Sequence, residues 1–258
     1  MSTELLRYSW ISILGMAMLA CQMGDSTEMP AGMVLLPATQ ENESPLLVDE
    51  TEVTVAQFAE FVAQTAYQTE AEDYGWSGVF NPDSMAWLPV DAAYWLFPFG
   101  PSGEQAQDHQ PVVHISYRDA KTYAQWAGKR LPTEAEWLRA ATANGKNRIF
   151  PWGDTELMNG KYPGNWWQGP FPQHDQVLDG FVGIAPVKSF PPTAIGLYEI
   201  GGNVWEWTST RINGQFVMRG GSFLCSNSYC SGFRLDQRQL TDADSGLNHL
   251  GFRCVKDI

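Results

Sequence analysis

Two cysteines five residues apart, Cys225 and Cys230, are the side chains of this sequence most able to do chemistry. They lie in Arg219-Gly220-Gly221-Ser222-Phe223-Leu224-Cys225-Ser226-Asn227-Ser228-Tyr229-Cys230, after a double glycine and with a serine three residues before the first thiol. Two thiolates form a soft donor pair that suits Cu(I) far better than Mg2+ or Ca2+. The same sulfurs can instead close a disulfide, or act as a nucleophile and its resolving partner. A second set of residues is rich in oxygen. Asn165 and Asp179, in Gly164-Asn165-Trp166-Trp167 and Leu178-Asp179-Gly180-Phe181, can cage a hard cation together with nearby carbonyls, or can each form an Asx turn. Glu199 and Glu206 bracket Gly201-Gly202-Asn203-Val204-Trp205, where glycines let carbonyls turn inward. The plainer reading there is a glycine turn between buried tryptophans.

Local structure must hold these groups in place. Three helices are expected. Thr54 caps the first, with Gln57 completing a capping box and Val55, Phe58, Phe61 and Val62 as its apolar stripe. Ser116 caps the second, which carries Ala120, Tyr123, Ala124 and Ala127 and ends at Gly128. Thr133-Glu134-Ala135-Glu136 opens the third, which runs through Trp137 and Ala141 to Asn144-Gly145. Short strands are expected at 33–36, 46–48, 112–115, 216–219 and 251–255. Residues 150–215 show almost no periodicity and are punctuated by Gly153-Asp154, Pro191-Pro192 and Gly201-Gly202. Such a stretch needs internal fasteners, and bound metal is one kind.

The 258 residues suffice for one large domain or two small ones. A net charge of −13 argues against nucleic acid as a partner, because phosphate binding needs a basic surface. It is compatible with Ca2+ or a basic peptide. Eleven Trp, 24 Gly and 16 Pro indicate a loop-rich chain packed largely by aromatic rings. The uncharged run 10–20 is too short to span a membrane as a helix and ends at Leu19-Ala20-Cys21. It reads as a secretory signal, and the cysteine after Ala20 resembles the lipobox of bacterial lipoproteins, with Met18 and the single basic Arg7 as departures. The expected organisation is a signal segment at 1–21 with Cys21 lipidated, a tether at 22–32 and a domain at 33–258. The protein is then exported and touches the membrane only through its N-terminal anchor. With Cys21 acylated, Cys225, Cys230 and Cys254 remain, an odd number, so at least one thiol is unpaired or ligand-bound.

Five stretches occur in a telling order: Arg130-Leu131-Pro132-Thr133-Glu134-Ala135-Glu136-Trp137, Phe150-Pro151-Trp152-Gly153, Gly202-Asn203-Val204-Trp205-Glu206-Trp207, Arg219-Gly220-Gly221-Ser222 and Gly251-Phe252-Arg253-Cys254. In this the chain resembles the formylglycine-generating enzyme (sulfatase-modifying factor) family over about residues 30–257. The resemblance implies an α+β fold, a single loop-rich domain that is a variant of the C-type-lectin-like fold with little regular secondary structure. It implies oxidation of a cysteine in an unfolded sulfatase, within a Cys-x-Pro-x-Arg motif, to Cα-formylglycine by O2. By the same resemblance Cys225 and Cys230 hold Cu(I), Ser222 is the active-site serine, and Trp205, Tyr229 and His249 shape the substrate pocket. Two structural Ca2+ sites map to Asn165, Asp179 and the carbonyls of Trp166 and Phe181, and to Glu199, Glu206 and the carbonyls of Gly202 and Val204. The chain departs from the family pattern at Trp95-Leu96, where an arginine follows the tryptophan in some members, at His249, where an asparagine is usual, and in a short 207–219 loop. Ala124 and Leu235 replace disulfide partners of eukaryotic members, so Cys254 is expected as an unpaired core thiol. The family is functionally mixed. A non-catalytic scaffold or binding lipoprotein on the same fold, and a related oxidase with another substrate, are the alternatives. An ordinary surface disulfide is the alternative for the cysteine pair, since exported proteins commonly pair close thiols.

Overall fold

The structure is a computed structural model that describes residues 29–38, 43–143 and 147–258. The expected signal segment, Cys21 and most of the tether lie outside the described residues. In chain order the elements are β1 (Met33–Leu36), β2 (Leu46–Asp49), α1 (Val55–Thr65), α2 (Glu70–Tyr74), β3 (Trp76–Asn81), β4 (Ala86–Asp91), α3 (Tyr117–Trp126), α4 (Glu134–Ala141), β5 (Trp205–Ile212), β6 (Gln215–Arg219), β7 (Gln239–Thr241), β8 (Leu250–Gly251) and β9 (Val255–Asp257).

All four helices among the described residues start with a reciprocal capping box, from Thr54 with Gln57, Thr69 with Glu72, Ser116 with Asp119, and Thr133 with Glu136. Each box satisfies two backbone N–H groups that have no partner inside the helix. The three expected helices are present, and α2 is an addition whose five residues are too few to show a periodicity. The last helix stops at Ala141, short of the expected Asn144-Gly145, and residues 144–146 are outside the described set.

Three small sheets result. β2 is central between antiparallel β1 and β9, with Val48 opposite both Val34 and Val255. β3 and β4 form a hairpin around Asn81-Pro82-Asp83, where Asn81 Oδ1 accepts from the Ser84 N–H at 2.9 Å. The third sheet runs β7-β6-β5-β8, with β8 parallel to β5. Two strand expectations need correction. Residues 112–115 form no strand: Val112 N–H bonds Val53 and His114 N–H bonds Leu247, so the segment threads singly between two different partners. The 251–255 stretch divides into β8 and β9. Between them Arg253 turns into the core to meet Glu206, and the Cys254 N–H is taken by the Asp49 carboxylate.

Among the described residues no regular element occurs between Ala141 and Trp205. Aromatic stacking fastens much of this stretch. Trp152 stacks on Phe150 and on Trp166 with centroids 5.2 and 5.4 Å apart, and Trp166 stacks on Phe233 at 4.6 Å. Pairs of this kind contribute roughly 0.5–1.5 kcal/mol each beyond the area they bury. Phe233 follows Cys230 closely in the chain, so the stack also holds the cysteine loop. Among the described residues the core divides into three clusters, and in the largest α1 and α3 (Phe58, Phe61, Tyr123) meet Trp205, Trp207, Phe252 and the free, buried Cys254.

Candidate active site

The cysteine loop leaves β6 through two glycines in left-handed backbone conformation, at φ 98° for Gly220 and 78° for Gly221. At Gly221 a Cβ would lie 2.5 Å from the Phe233 nitrogen and 2.6 Å from the Gly232 carbonyl carbon, so only glycine lets the two ends of the loop touch. Gly232 in turn lies against the Trp205 ring, which a Cβ there would meet at 2.4 Å. Ser222 follows directly. Its carbonyl accepts the Cys225 N–H at 2.9 Å, and the Cys225 carbonyl accepts the Trp167 N–H at 2.9 Å. A tight turn in which Ser226 and Tyr229 exchange backbone hydrogen bonds, followed by Cys230 at φ 70°, carries the chain back to Cys225.

The two sulfurs are joined as a disulfide. This is the state the sequence left open as the alternative, with a difference: Cys225 is fully buried, so the bond is no surface staple. Both cysteines line a cavity of about 110 Å3 together with Ser222, Trp205, Tyr229 and His249. The fold therefore brings together every residue expected at the site. Ser222 Oγ lies 3.9 Å from Cys225 Sγ and 3.2 Å from His249 Nδ1, and accepts the Leu224 N–H at 3.3 Å. Burial, with a smaller contribution from His114, pushes His249 down to about 3, so the imidazole is neutral at ordinary pH. Trp205 is completely buried and its indole N–H has no partner among the described residues. Tyr229 is exposed and stacks on Phe171 at 4.5 Å.

Phe80, Trp87, Leu240 and Leu247 also line the cavity and were not anticipated. Trp87 packs on His249 with centroids 4.5 Å apart. The Asn-Pro-Asp turn between Trp76-Ser77-Gly78-Val79-Phe80 and Ala86-Trp87-Leu88 is the signal that marks this hairpin in the sequence. A larger groove of about 600 Å3 adjoins the cavity and shares Trp87 and Leu247 with it; Glu70, Tyr74, Trp76 and Asp244 are among its other walls.

The donor chemistry fits copper in one redox state. A disulfide offers no thiolate, whereas the reduced Cys225 and Cys230 are a soft pair already confined to one cavity. The oxygen-ligand sets fit less evenly. Among the described residues no three acidic, histidine or cysteine side chains converge on one point, so a cation at either place depends on amide and carbonyl oxygens. At the first, Gln168 Nε2 contacts both the Trp166 carbonyl and Asp179 Oδ2, placing a polar N–H group between two expected ligands. Asp179 also accepts the N–H groups of Trp166 and Phe181, yet burial raises it to about 6. Asn165 Nδ2 donates to the carbonyl of Gly183 and to Asn203 Oδ1. At the second, Glu206 is held by Arg253 at 2.7–2.9 Å and by the Trp137 indole at 2.7 Å. Glu199 accepts the N–H groups of Lys188 and Phe190. Glu52 is buried with one carboxylate oxygen unpartnered, and burial and the nearby Glu199 hold its pKa well above the usual carboxylate range. Glu52, Glu199 and Glu206 thus share Arg253 as their buried counter-charge, an environment short of positive charge.

Comparisons with known proteins place the chain among relatives. The model of the sulfatase-modifying factor enzyme 1-like domain matches residues 16–258. The chain is 42% identical to the formylglycine-generating enzyme of Thermomonospora curvata over 83% of its own length and 82% of that protein. It is 39% identical to the inactive C-alpha-formylglycine-generating enzyme 2 of Bos taurus over 85% of its own length and 79% of that protein. Among solved structures, PvdO from Pseudomonas aeruginosa superposes with a TM-score of 0.58 at 19% identity, covering 88% of this chain and 90% of that one, which speaks for the fold alone.

Proposed function

The chain belongs to the sulfatase-modifying factor enzyme 1-like family, and from that membership we propose that it oxidises a cysteine of a sulfatase polypeptide to Cα-formylglycine. The observation that carries this reading is the cavity in which Cys225 and Cys230 meet Ser222, Trp205, Tyr229 and His249. Replacing the sulfur of a CH2–SH group by a carbonyl oxygen consumes O2, two electrons and two protons, and releases H2S and water. A thiol reductant supplies the electrons. When bound to the reduced Cys225–Cys230 pair, Cu(I) supplies a soft centre for the substrate sulfur and a redox partner for O2.

The rest is work for the chain's own residues. At about 110 Å3 the cavity is far smaller than the adjoining groove of about 600 Å3. The substrate cysteine therefore enters alone and its flanking residues lie outside. The adjoining groove, with Trp76, Trp87 and Tyr74 as apolar wall and Asp244 and the Arg118-paired Glu70 as acidic wall, suits an extended segment carrying proline and arginine. Only an unfolded chain or a short peptide offers such a segment. Trp205 and Leu224 form apolar walls beside the sulfurs, and Ser222 places a hydroxyl beside Cys225. The Leu19-Ala20-Cys21 sequence supports a location outside the inner membrane, with Cys21 as the lipid anchor. Ca2+ bound near Asp179 or near Glu199 would be a further fastener of the irregular stretch.

The disulfide favours a second reading, a binding module without redox activity, because paired sulfurs hold no copper. One experiment separates the two. The purified full chain is reduced, loaded with Cu(I) and incubated in air with a thiol reductant and a Cys-x-Pro-x-Arg peptide. Mass spectrometry showing loss of the thiol and gain of an aldehyde supports the enzyme; an unchanged peptide supports the module.

A further inference from the structure

Only one of the two ring nitrogens of His249 is hydrogen-bonded among the described residues. Nδ1 is 3.2 Å from Ser222 Oγ. Nε2 has no hydrogen-bond partner among the described residues, and the ring lines the cavity that holds the sulfurs. The Ser222 hydroxyl has one proton and two neighbours able to accept it. Nδ1 is nearer than Cys225 Sγ, at 3.2 against 3.9 Å, and an imidazole nitrogen is a much stronger acceptor than a disulfide sulfur. The remaining oxygen lone pairs accept the Leu224 N–H at 3.3 Å and face Cys225. A neutral ring that accepts at Nδ1 must carry its proton on Nε2. Its orientation is held from the other side by the Trp87 ring, with centroids 4.5 Å apart.

Resting on the cysteine-oxidation reading above, we propose that His249 is a positioning residue with two separable tasks: Nδ1 accepts the Ser222 hydroxyl and fixes that oxygen against Cys225, while Nε2–H is a hydrogen-bond donor into the cavity for a carbonyl oxygen of the entering peptide. The first task acts through Ser222 and governs turnover. The second acts on the peptide and governs its binding. An asparagine at this position keeps an acceptor at the place of Nδ1 but has nothing at the place of Nε2. A leucine keeps neither.

The tautomer is tested without any turnover. Nitrogen-15 NMR of the ring in the full-length protein, both disulfide-bonded and reduced, should show Nε2 protonated and Nδ1 not in either form, and Ser222→Ala should move the Nδ1 signal. A proton on Nδ1, or a signal indifferent to Ser222→Ala, overturns the proposal. Steady-state kinetics with the Cys-x-Pro-x-Arg peptide test the two tasks. His249→Asn should keep kcat within about threefold and raise KM on the order of tenfold, the worth of one hydrogen bond. His249→Leu should lower kcat as well, again on the order of tenfold. Because this loss runs through Ser222, Ser222→Ala with His249→Leu should have the kcat of Ser222→Ala alone. Equal kcat in wild type and His249→Leu, or additive losses in the double variant, overturns the positioning role. If the wild type makes no aldehyde, the proposed reaction falls, and the NMR result alone decides for or against the Ser222–His249 arrangement.

Discussion

Gly221→Ala should be costly, and the structure separates two reasons for it. At φ 78° the backbone is in the left-handed region, where a side chain costs about 1–2 kcal/mol. The new methyl would also stand 2.5 Å from the Phe233 nitrogen and 2.6 Å from the Gly232 carbonyl carbon. Both contacts are backbone, so no side-chain rotation relieves them, and overpacking of this kind costs about 1–3 kcal/mol. The expected loss is therefore roughly 2–5 kcal/mol. Gly214, in the β5–β6 turn, is the internal control. Its φ is 92°, and a Cβ there meets nothing within 4 Å, so Gly214→Ala bears only the conformational cost of about 1–2 kcal/mol. Urea unfolding of wild type and both variants, compared at equal m-values, measures the difference directly. Gly221→Ala should also reduce aldehyde formation in folded protein, because relief of the clash parts the two ends of the loop that carries Ser222 and Cys225. Equal destabilisation by the two variants, or a loss under about 0.5 kcal/mol for Gly221→Ala, would refute the close-approach argument.

Other expectations follow from the buried charges and the oxygen-rich sets. Arg253→Met leaves Glu206 without its buried cation and should cost about 3–5 kcal/mol in urea unfolding, with part of the loss recovered when Glu206→Gln is added; an unchanged midpoint would count against the pair. Burial lowers His114 to about 4 from its ordinary 6.5, so as pH falls the unfolded chain takes up a proton before the folded one does. Its contribution to stability is present above pH 6.5 and is lost as pH falls toward 4, on the order of 3 kcal/mol, and His114→Gln should lessen the fall of stability over that window, His249 supplying a fall of its own. A parallel pair of curves would show that the ring is not held neutral. Chelators should lower the melting temperature if Ca2+ fastens residues 150–210, and Ca2+ binding should weaken below about pH 6, where Asp179 takes a proton in the metal-free fold. Calorimetric titration at pH 5 and pH 7.5 reads this, and equal affinities would exclude Asp179 as a ligand.

The helix starts were legible because capping boxes are local: Thr54 with Gln57, Ser116 with Asp119 and Thr133 with Glu136 need only neighbouring residues. The residues that line the cavity were legible as a group because the double glycine, Ser222 and the two cysteines are close in sequence, an ordered motif of the family adds Trp205, and His249 stands out as a departure from the family pattern. What was hidden depends on distant partners. Residues 112–115 look like a strand, but the backbone groups of Val112 and His114 go to Val53 and Leu247 in two different loops. Arg253 interrupts the expected 251–255 strand because Glu206, far away in sequence, needs its guanidinium. The hairpin wall of the cavity was missed because β4 is largely exposed and shows no apolar alternation, although Trp87 lies against His249. Nor does spacing decide between thiolate pair and disulfide, since both need the sulfurs in the same place.

The activity proposed for the confined Cys225–Cys230 pair, once reduced, is cysteine oxidation on an unfolded sulfatase segment. Its most direct measurement co-expresses the full-length chain, with copper supplied, and a sulfatase exported in unfolded form, in cells without another modifying activity. Mass spectrometry of the sulfatase peptide is then compared between wild type, Cys230→Ser and Cys254→Ser. Formylglycine in wild type and Cys254→Ser, with none in Cys230→Ser, is the predicted result. Formylglycine at equal levels in all three strains, or in none of them, would contradict the assignment of this chemistry to the cysteine pair.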